Sequence, residues 1–339
     1  MPEARRAGAK DVARLAGVST ATVSRALNLP EQVDPHTRDR VHAAIEKLRY
    51  VPHGAARALR SQRSGMIGAI VPSFDYALYA RTTSALQAVL DERGYALVLA
   101  AHHYDLATEV RATQQLIEHG VDAFAFVGLD HEPALYSLLE RYGRPYVLTW
   151  GVDASRRHPS IGFDNSAATY ALTRELLALG HRRFGLISAA TVSNDRARAR
   201  GAGVRQALAA AAITLDPACV YMGPISLDSG YEGMRQLMSR RPRVTAVIAT
   251  NDVFAVGAMQ ACRDAGVRIP QDISITGVDN TDLGATQTPP LTSIRTPIIE
   301  VGHAAALQLV ARLEGRPAEL YQQLPFEVVK RGSIAPPQG

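Results

Sequence analysis

Residues 10–28 read KDVARLAGVSTATVSRALN, and their spacing decides how the N-terminal part of the chain folds. Over Lys10 to Ala16, the apolar residues Val12, Ala13, Leu15 and Ala16 predict a short helix. Gly17 can adopt the left-handed backbone that ends a helix, and Val18 is apolar inside the turn. Ser19 is a good N-cap for a second helix over Thr20 to Leu27, with Ala21, Val23, Ala26 and Leu27 at its apolar positions. Two short helices joined by a turn of about four residues that contains Gly make the helix-turn-helix pattern. A third helix follows. Asp34 caps it, and Pro35 sits at its first position, where the missing N–H costs nothing. Val41, Ala44, Ile45 and Leu48 fall at i, i+3, i+4 and i+7, so one stripe packs inward.

Charge sets this segment apart. Residues 1–64 hold 12 Lys+Arg against 6 Asp+Glu, whereas the rest of the chain holds 25 against 26. A basic block on a near-neutral body is either a polyanion-binding module or a solvated tail. The whole chain has 339 residues, 47% hydrophobic and 20% charged, which excludes a mostly disordered protein. Its two cysteines, Cys219 and Cys262, exclude a disulfide scaffold and a Cys-based zinc finger. No apolar run approaches the roughly 20 residues that span a bilayer. Met1 to Ala16 has no apolar stretch like that of a signal peptide. A cytoplasmic protein without membrane association is therefore expected.

Beyond residue 64, short β runs alternate with helices: Met66 to Val71, Ala96 to Ala100, Ala123 to Val127 and Tyr146 to Thr149, then Phe184 to Ile187, Ala246 to Ala249 and Ile273 to Thr276. Alternating units imply parallel sheets with helices on both faces, and two runs imply two similar lobes. Ligands of such folds bind at the carboxyl ends of strands. There is no Walker A loop, no G-x-G-x-x-G after the first strand, no H-E-x-x-H and no G-x-S-x-G. The reading is therefore not an enzyme, with no catalytic residues, cofactor or metal. His102-His103, side by side on a strand, would point to opposite faces and make a poor metal site.

The run from Lys10 to Asn28 closely resembles the headpiece of the LacI/GalR family of bacterial transcription regulators. The likeness continues through residues 37–41 (TRDRV) and 44–52 (AIEKLRYVP). In the body it extends through Asp164-Asn165, residues 179–182 (LGHR), Thr250-Asn251-Asp252, residues 267–274 (VRIPQDIS), 277–280 (GVDN) and 289–294 (PPLTSI). The resemblance implies an N-terminal all-α helix-turn-helix headpiece followed by an α/β effector domain of the two-lobed periplasmic-binding-protein type I fold, with doubly wound parallel sheets. It divides the chain into a headpiece at 1–50 and a hinge-helix linker at 51–64. An N-terminal lobe would comprise 65–162 and 292–323, and a C-terminal lobe 163–291 and 324–339. The chain would cross between lobes near 162, 291 and 323.

The same resemblance implies a regulator, expected to be a repressor, that binds a palindromic double-stranded DNA operator as a homodimer. No heptad tail follows Arg331-Gly332-Ser333, so a tetramer is not expected. Thr20, Ala21 and Arg25 are expected to face base edges, and Arg25 suits guanine O6 and N7. For Ala21, helix propensity explains the residue equally well. Ser19, Thr22, Ser24 and Asn28 are short polar groups suited to phosphates. In the linker, Leu59 matches the residue that wedges into the minor groove, with Ala56 beside it. His53 departs from the Asn found there in many members. A small-molecule effector, a sugar or small polar metabolite, is expected between the lobes. Arg200 matches the arginine that grips it, Asp252 and Asp279 lie near the cleft, Trp150 could stack on a ring, and Phe74 and Tyr79 stand in an aromatic stretch. That stretch departs from the pattern of sugar-responsive members, and Ile225 disfavours a purine.

Overall fold

The computed structural model describes residues 7–50 and 63–338, which fall into two compact units, 1–64 and 65–339. The linker assigned above to 51–64, with Ala56 and Leu59, lies outside the described residues except for Arg63 and Ser64.

The first unit holds α1 (Ala9–Ala16), α2 (Thr20–Asn28) and α3 (Pro35–Leu48), with a 3-10 turn at Pro30–Gln32. Gly17 ends α1 at φ 64°, and the next residue already turns toward α2. Ser19 caps α2 by accepting from the Thr22 amide at 3.0 Å. Asp34 caps α3 by accepting from the Thr37 amide at 3.1 Å. Val12, Ala13, Ala16, Val23, Ala26, Val41 and Ala44 form its core. The Arg40 guanidinium on α3 donates to the carbonyls of Ala16 and Gly17. It thereby satisfies the exposed C-terminus of α1 with a cation, as the helix dipole favours, and fixes α3 against the turn.

The second unit contains two six-stranded sheets. The first, in spatial order β11-β5-β4-β3-β1-β2, is built from β1 (Met66–Val71), β2 (Ala96–Ala101), β3 (Ala123–Val127), β4 (Tyr146–Thr149), β5 (Ser160–Gly162) and β11 (Tyr321–Gln323). The second, β12-β10-β9-β8-β6-β7, is built from β6 (Phe184–Ala189), β7 (Val220–Gly223), β8 (Ala246–Ala249), β9 (Ser274–Val278), β10 (Thr292–Arg295) and β12 (Glu327–Val329). Among the described residues, all strand pairs are parallel except β10 with β12. The central strands are continuous apolar runs such as MIGAIV because both faces of a parallel sheet are covered.

The covering helices of the first lobe are α4 (Ala77–Glu92), α5 (Leu106–Glu118), α6 (Pro133–Arg141) and α12 (Ile298–Leu313). Those of the second are α7 (Asn165–Ala178), α8 (Asp195–Ala210), α9 (Leu227–Met238), α10 (Asp252–Asp264) and the short α11 (Asp282–Ala285). Helices α9 and α10 pack at backbone distance: a Cβ built on Gly257 would stand 2.0 Å from the Leu227 carbonyl oxygen.

One expected boundary moves. Residues 292–295 were expected in the first lobe, but β10 pairs with β9 in the second sheet, Thr292 beside Thr276 and Ile294 beside Val278. Ser333 accepts from the Thr292 amide at 2.8 Å, and Ile294 joins a core with Phe163, Leu172 and Val278. The chain thus leaves the second sheet after Arg295, before α12 packs on α4 and the first sheet.

Candidate functional sites

In the headpiece, the Ser19 cap holds the first turn of α2 so that Thr20, Ala21 and Arg25 are exposed. The Arg25 guanidinium one turn beyond Ala21 adds a charge to that surface. Ser19 also hydrogen-bonds the Thr22 hydroxyl at 2.9 Å, so both belong to the cap and remain at the helix start. Ser24 is half-buried. The side chain of Asn28, like Ala56 and Leu59, lies outside the described residues.

In the body, the strand ends of the two sheets face one another across a small cavity lined by Tyr76, Tyr79, Trp150, Arg196, Arg200 and Asn251, among others. Its volume is about 20 Å3, room for a single water. Arg200, on α8, is the organising group. Its Nε donates to Asn165 Oδ1 at 2.8 Å, Nη1 to the Thr250 carbonyl at 2.7 Å and Nη2 to Asp279 Oδ1 at 3.3 Å. Asn165 in turn donates to the Trp150 carbonyl at 2.8 Å. Trp150 and Asp279 follow the ends of β4 and β9 with φ of 70° and 112°. Left-handed backbone at two non-glycine residues is strain of the kind held at ligand sites.

Asp279 is buried and accepts from Arg200, from Asn251 Nδ2 at 2.9 Å and from the Tyr76 hydroxyl. Burial pushes its carboxyl upward, against the pull of Arg200 and of the Tyr76 and Asn251 donors. Burial likewise raises the phenols of Tyr76 and Tyr79, which therefore act as neutral hydrogen-bonding groups. The buried Trp150 Nε1 has no hydrogen-bond partner among the described residues, a donor left available at the cavity.

Of the expected body residues, Tyr79, Trp150 and Arg200 line this cavity, and Asp279 closes it through Tyr76. Two do not take the expected place. Phe74 is 57% exposed and absent from the lining, because it sits in the turn between β1 and α4. Asp252 turns into the second lobe, where it accepts from the Thr281 amide at 2.6 Å, the Thr281 hydroxyl at 2.9 Å and the Ser293 hydroxyl at 2.6 Å. Its oxygens are used in joining α10 to β10 and the loop after β9.

Arg196, Asn251, Tyr76 and Tyr104 also line the cavity. Arg196 was indistinguishable in sequence from its neighbours Arg198 and Arg205. In the fold it is buried, burial acting against its charge while Asp195 at 2.7 Å and the phenols of Tyr79 and Tyr104 more than compensate. Asn251 lies inside the stretch Thr250-Asn251-Asp252, and only its spacing from the end of β8 could single it out. His102 and His103 follow β2 in a turn, with His102 buried near Glu109 and His103 exposed. Among the described residues, no group of three His, Cys, Asp or Glu side chains could hold a metal ion. No described helix is long and apolar enough to cross a membrane.

Comparison with known proteins agrees with this architecture. The model for bacterial regulatory proteins of the lacI family matches residues 9–53, and that for a periplasmic binding protein-like domain matches residues 173–334. The HTH-type transcriptional regulator CelR of Thermobifida fusca is 33% identical over 331 residues, covering 94% of this chain and 95% of CelR. The HTH-type transcriptional repressor PurR of Pectobacterium carotovorum subsp. carotovorum (strain PC1) is 32% identical over 329 residues, covering 96% of each. The lac repressor dimer bound to operator and the anti-inducer ONPF has the same fold, with a TM-score of 0.87 at 27% identity over 98% of this chain and 100% of that one. A capped, outward-facing second helix, a two-lobed body and relatives matched along nearly the whole chain lead to one conclusion: the protein belongs to the LacI family, as a DNA-binding transcriptional regulator with an effector-binding domain and not an enzyme.

Proposed function

We propose that the protein is a repressor that binds a palindromic operator as a homodimer and is controlled by a sugar or small polar metabolite in the cavity between its lobes. The observation that carries the DNA-binding surface is the exposed start of α2. Thr20, Ala21 and Arg25 read base edges there, while Ser19, Thr22, Ser24 and Asn28 set register on phosphates. Leu59, with Ala56, opens the minor groove between the half-sites. Exposed apolar side chains support self-association: Leu99 on β2 and Met222 on β7 each lie on one of the two edge strands of their sheet, 43% and 57% exposed. Arg200, Asp279, Trp150 and Tyr79 recognise the effector through a guanidinium, a carboxylate, an indole donor and a phenol. Coupling is reciprocal, so DNA changes effector affinity by the factor by which effector changes DNA affinity.

Selection of bound duplexes from a random pool, followed by a salt titration of the winner, tests this reading. A palindrome with a central CG step and a steep loss of affinity with salt is the expected result. A pool without enrichment, repeated with cell extract to supply a corepressor and still blank, would overturn it. Leu59→Ala should abolish operator binding while leaving the melting temperature unchanged.

A further inference from the structure

Tyr76 hydrogen-bonds across the two lobes. It stands at the N-terminus of α4 in the first lobe, yet its hydroxyl donates to Asp279 and accepts from Asn251 Nδ2 at 2.9 Å, both in the second. A phenol suits this place because one oxygen both gives and takes a hydrogen bond. Its ring is held edge-on to Tyr79, with centroids 5.5 Å apart, and Tyr79 packs on Trp150 at 5.1 Å. With Tyr76 in place, both Asp279 oxygens are engaged and the cavity keeps about 20 Å3, too little for anything larger than a water.

We propose that Tyr76 is an internal latch: its hydroxyl occupies the position a ligand hydroxyl would take on Asp279 and Asn251, so the free chain holds its lobes closed and a ligand binds by displacing it. This rests on the reading of the cavity as the effector site. Tyr76 is the residue before α4 and its side chain does not cap that helix, so displacing the phenol leaves the helix start as it is. Burial keeps the phenol neutral, so displacement exchanges one neutral hydroxyl for another.

Trp150 is the only tryptophan in the chain and is 2% exposed at the cavity. Its fluorescence therefore reports lobe opening. The test is acrylamide quenching of the full-length protein, free of DNA and ligand, in wild type and Tyr76→Phe. The variant keeps the ring but leaves the buried carboxylate short of a donor, which shifts the closed-to-open ratio by about ten-fold or more. Clearly stronger quenching in Tyr76→Phe supports the latch, and identical quenching overturns it. Hydrogen exchange on the wild type alone provides a second arm that holds even if the variant folds poorly. Amides of 76–78, which no side chain caps at the head of α4, should exchange nearly as slowly as the sheet interior; exchange at loop rates overturns the latch. Neither arm uses DNA or ligand, so a failed latch leaves the operator reading standing, and a failed operator selection leaves the latch measurement valid.

Discussion

Arg200 and Asp279 form a buried ion pair, Nη2 to Oδ1 at 3.3 Å, with side chains 5% and 0% exposed. Through its other nitrogens the same guanidinium reaches Asn165 at the start of α7 and Thr250 at the end of β8. One side chain thus gathers a helix start and two strand ends into a single wall of the cavity. The planar fork of arginine allows this, since three directions lie in one plane.

Removing that fork should be costly. Arg200→Ala leaves Asp279 charged and buried, and a broken buried pair loses about 3–5 kcal/mol. Arg200→Lys should recover only part, because an ammonium cannot satisfy Asn165, Thr250 and Asp279 together. Urea unfolding of both variants checks this; a wild-type midpoint for Arg200→Ala would show that the pair does not organise the lobe.

The headpiece arginines should separate by role. Arg25 is exposed, so Arg25→Ala should leave stability within about 0.5 kcal/mol of wild type while weakening the selected operator by about 1–3 kcal/mol. Arg40 caps α1 and carries no base contact in this reading. Arg40→Ala should instead destabilise the headpiece by about 1 kcal/mol. Thermal melting and fluorescence anisotropy on the same samples distinguish the two, and equal effects of both variants in both assays would refute the division.

Asp252 makes stability pH-dependent. Burial, and next the charge of Asp279, push its carboxyl up to about 7, against the donors Ser293 and Thr281. A folded-state value above the unfolded one near 4 means the folded form binds the proton more tightly. Its contribution is complete below about pH 4 and is lost as pH rises through about 7. Asp252→Asn lacks this titration. The stability of wild type minus that of Asp252→Asn should therefore fall between pH 5 and 8, by roughly 3 kcal/mol at most. Urea unfolding at pH 5, 6.5 and 8 measures it, and parallel pH profiles would show that Asp252 does not titrate in this range.

Gly257 permits the close packing of α9 on α10. In isolation, Gly→Ala inside a helix is favourable. Here the added Cβ would meet the Leu227 carbonyl oxygen at 2.0 Å, so the helices must separate. Gly257→Ala should cost about 1–3 kcal/mol, read as a lowered melting temperature; an unchanged or raised value would mean that the pair yields freely.

Local chemistry made much of the fold legible. The caps Ser19 and Asp34 and the turn at Gly17 act within a few residues, so the headpiece helices follow from the sequence around them. The runs MIGAIV and AFAFV announce buried parallel strands in the same way. The strand TSIR does not, since two of its residues are small and polar. Thr292 and Ser293 are buried because Ser333, Arg331 and Asp252 meet them from distant parts of the chain. That is why the expected lobe boundary fell before β10 instead of after it.

The site divides along the same line. Arg200 and Asp279 stand in motifs that family likeness brings forward, and Tyr79 and Trp150 are conspicuous by type. Tyr76, Tyr104, Arg196 and Asn251 become neighbours only when two sheets present their strand ends to one cavity. Asp252, expected beside them, is drawn away by Thr281 and Ser293. Sequence alone determined the headpiece helices and the long apolar strands, because caps, periodicity and turns act over one or two helical turns. Tertiary structure alone decided which polar groups are buried together and which hydrogen bonds they exhaust, because those partners lie as far apart in the chain as Tyr76 and Asp279 and meet only where packing excludes water.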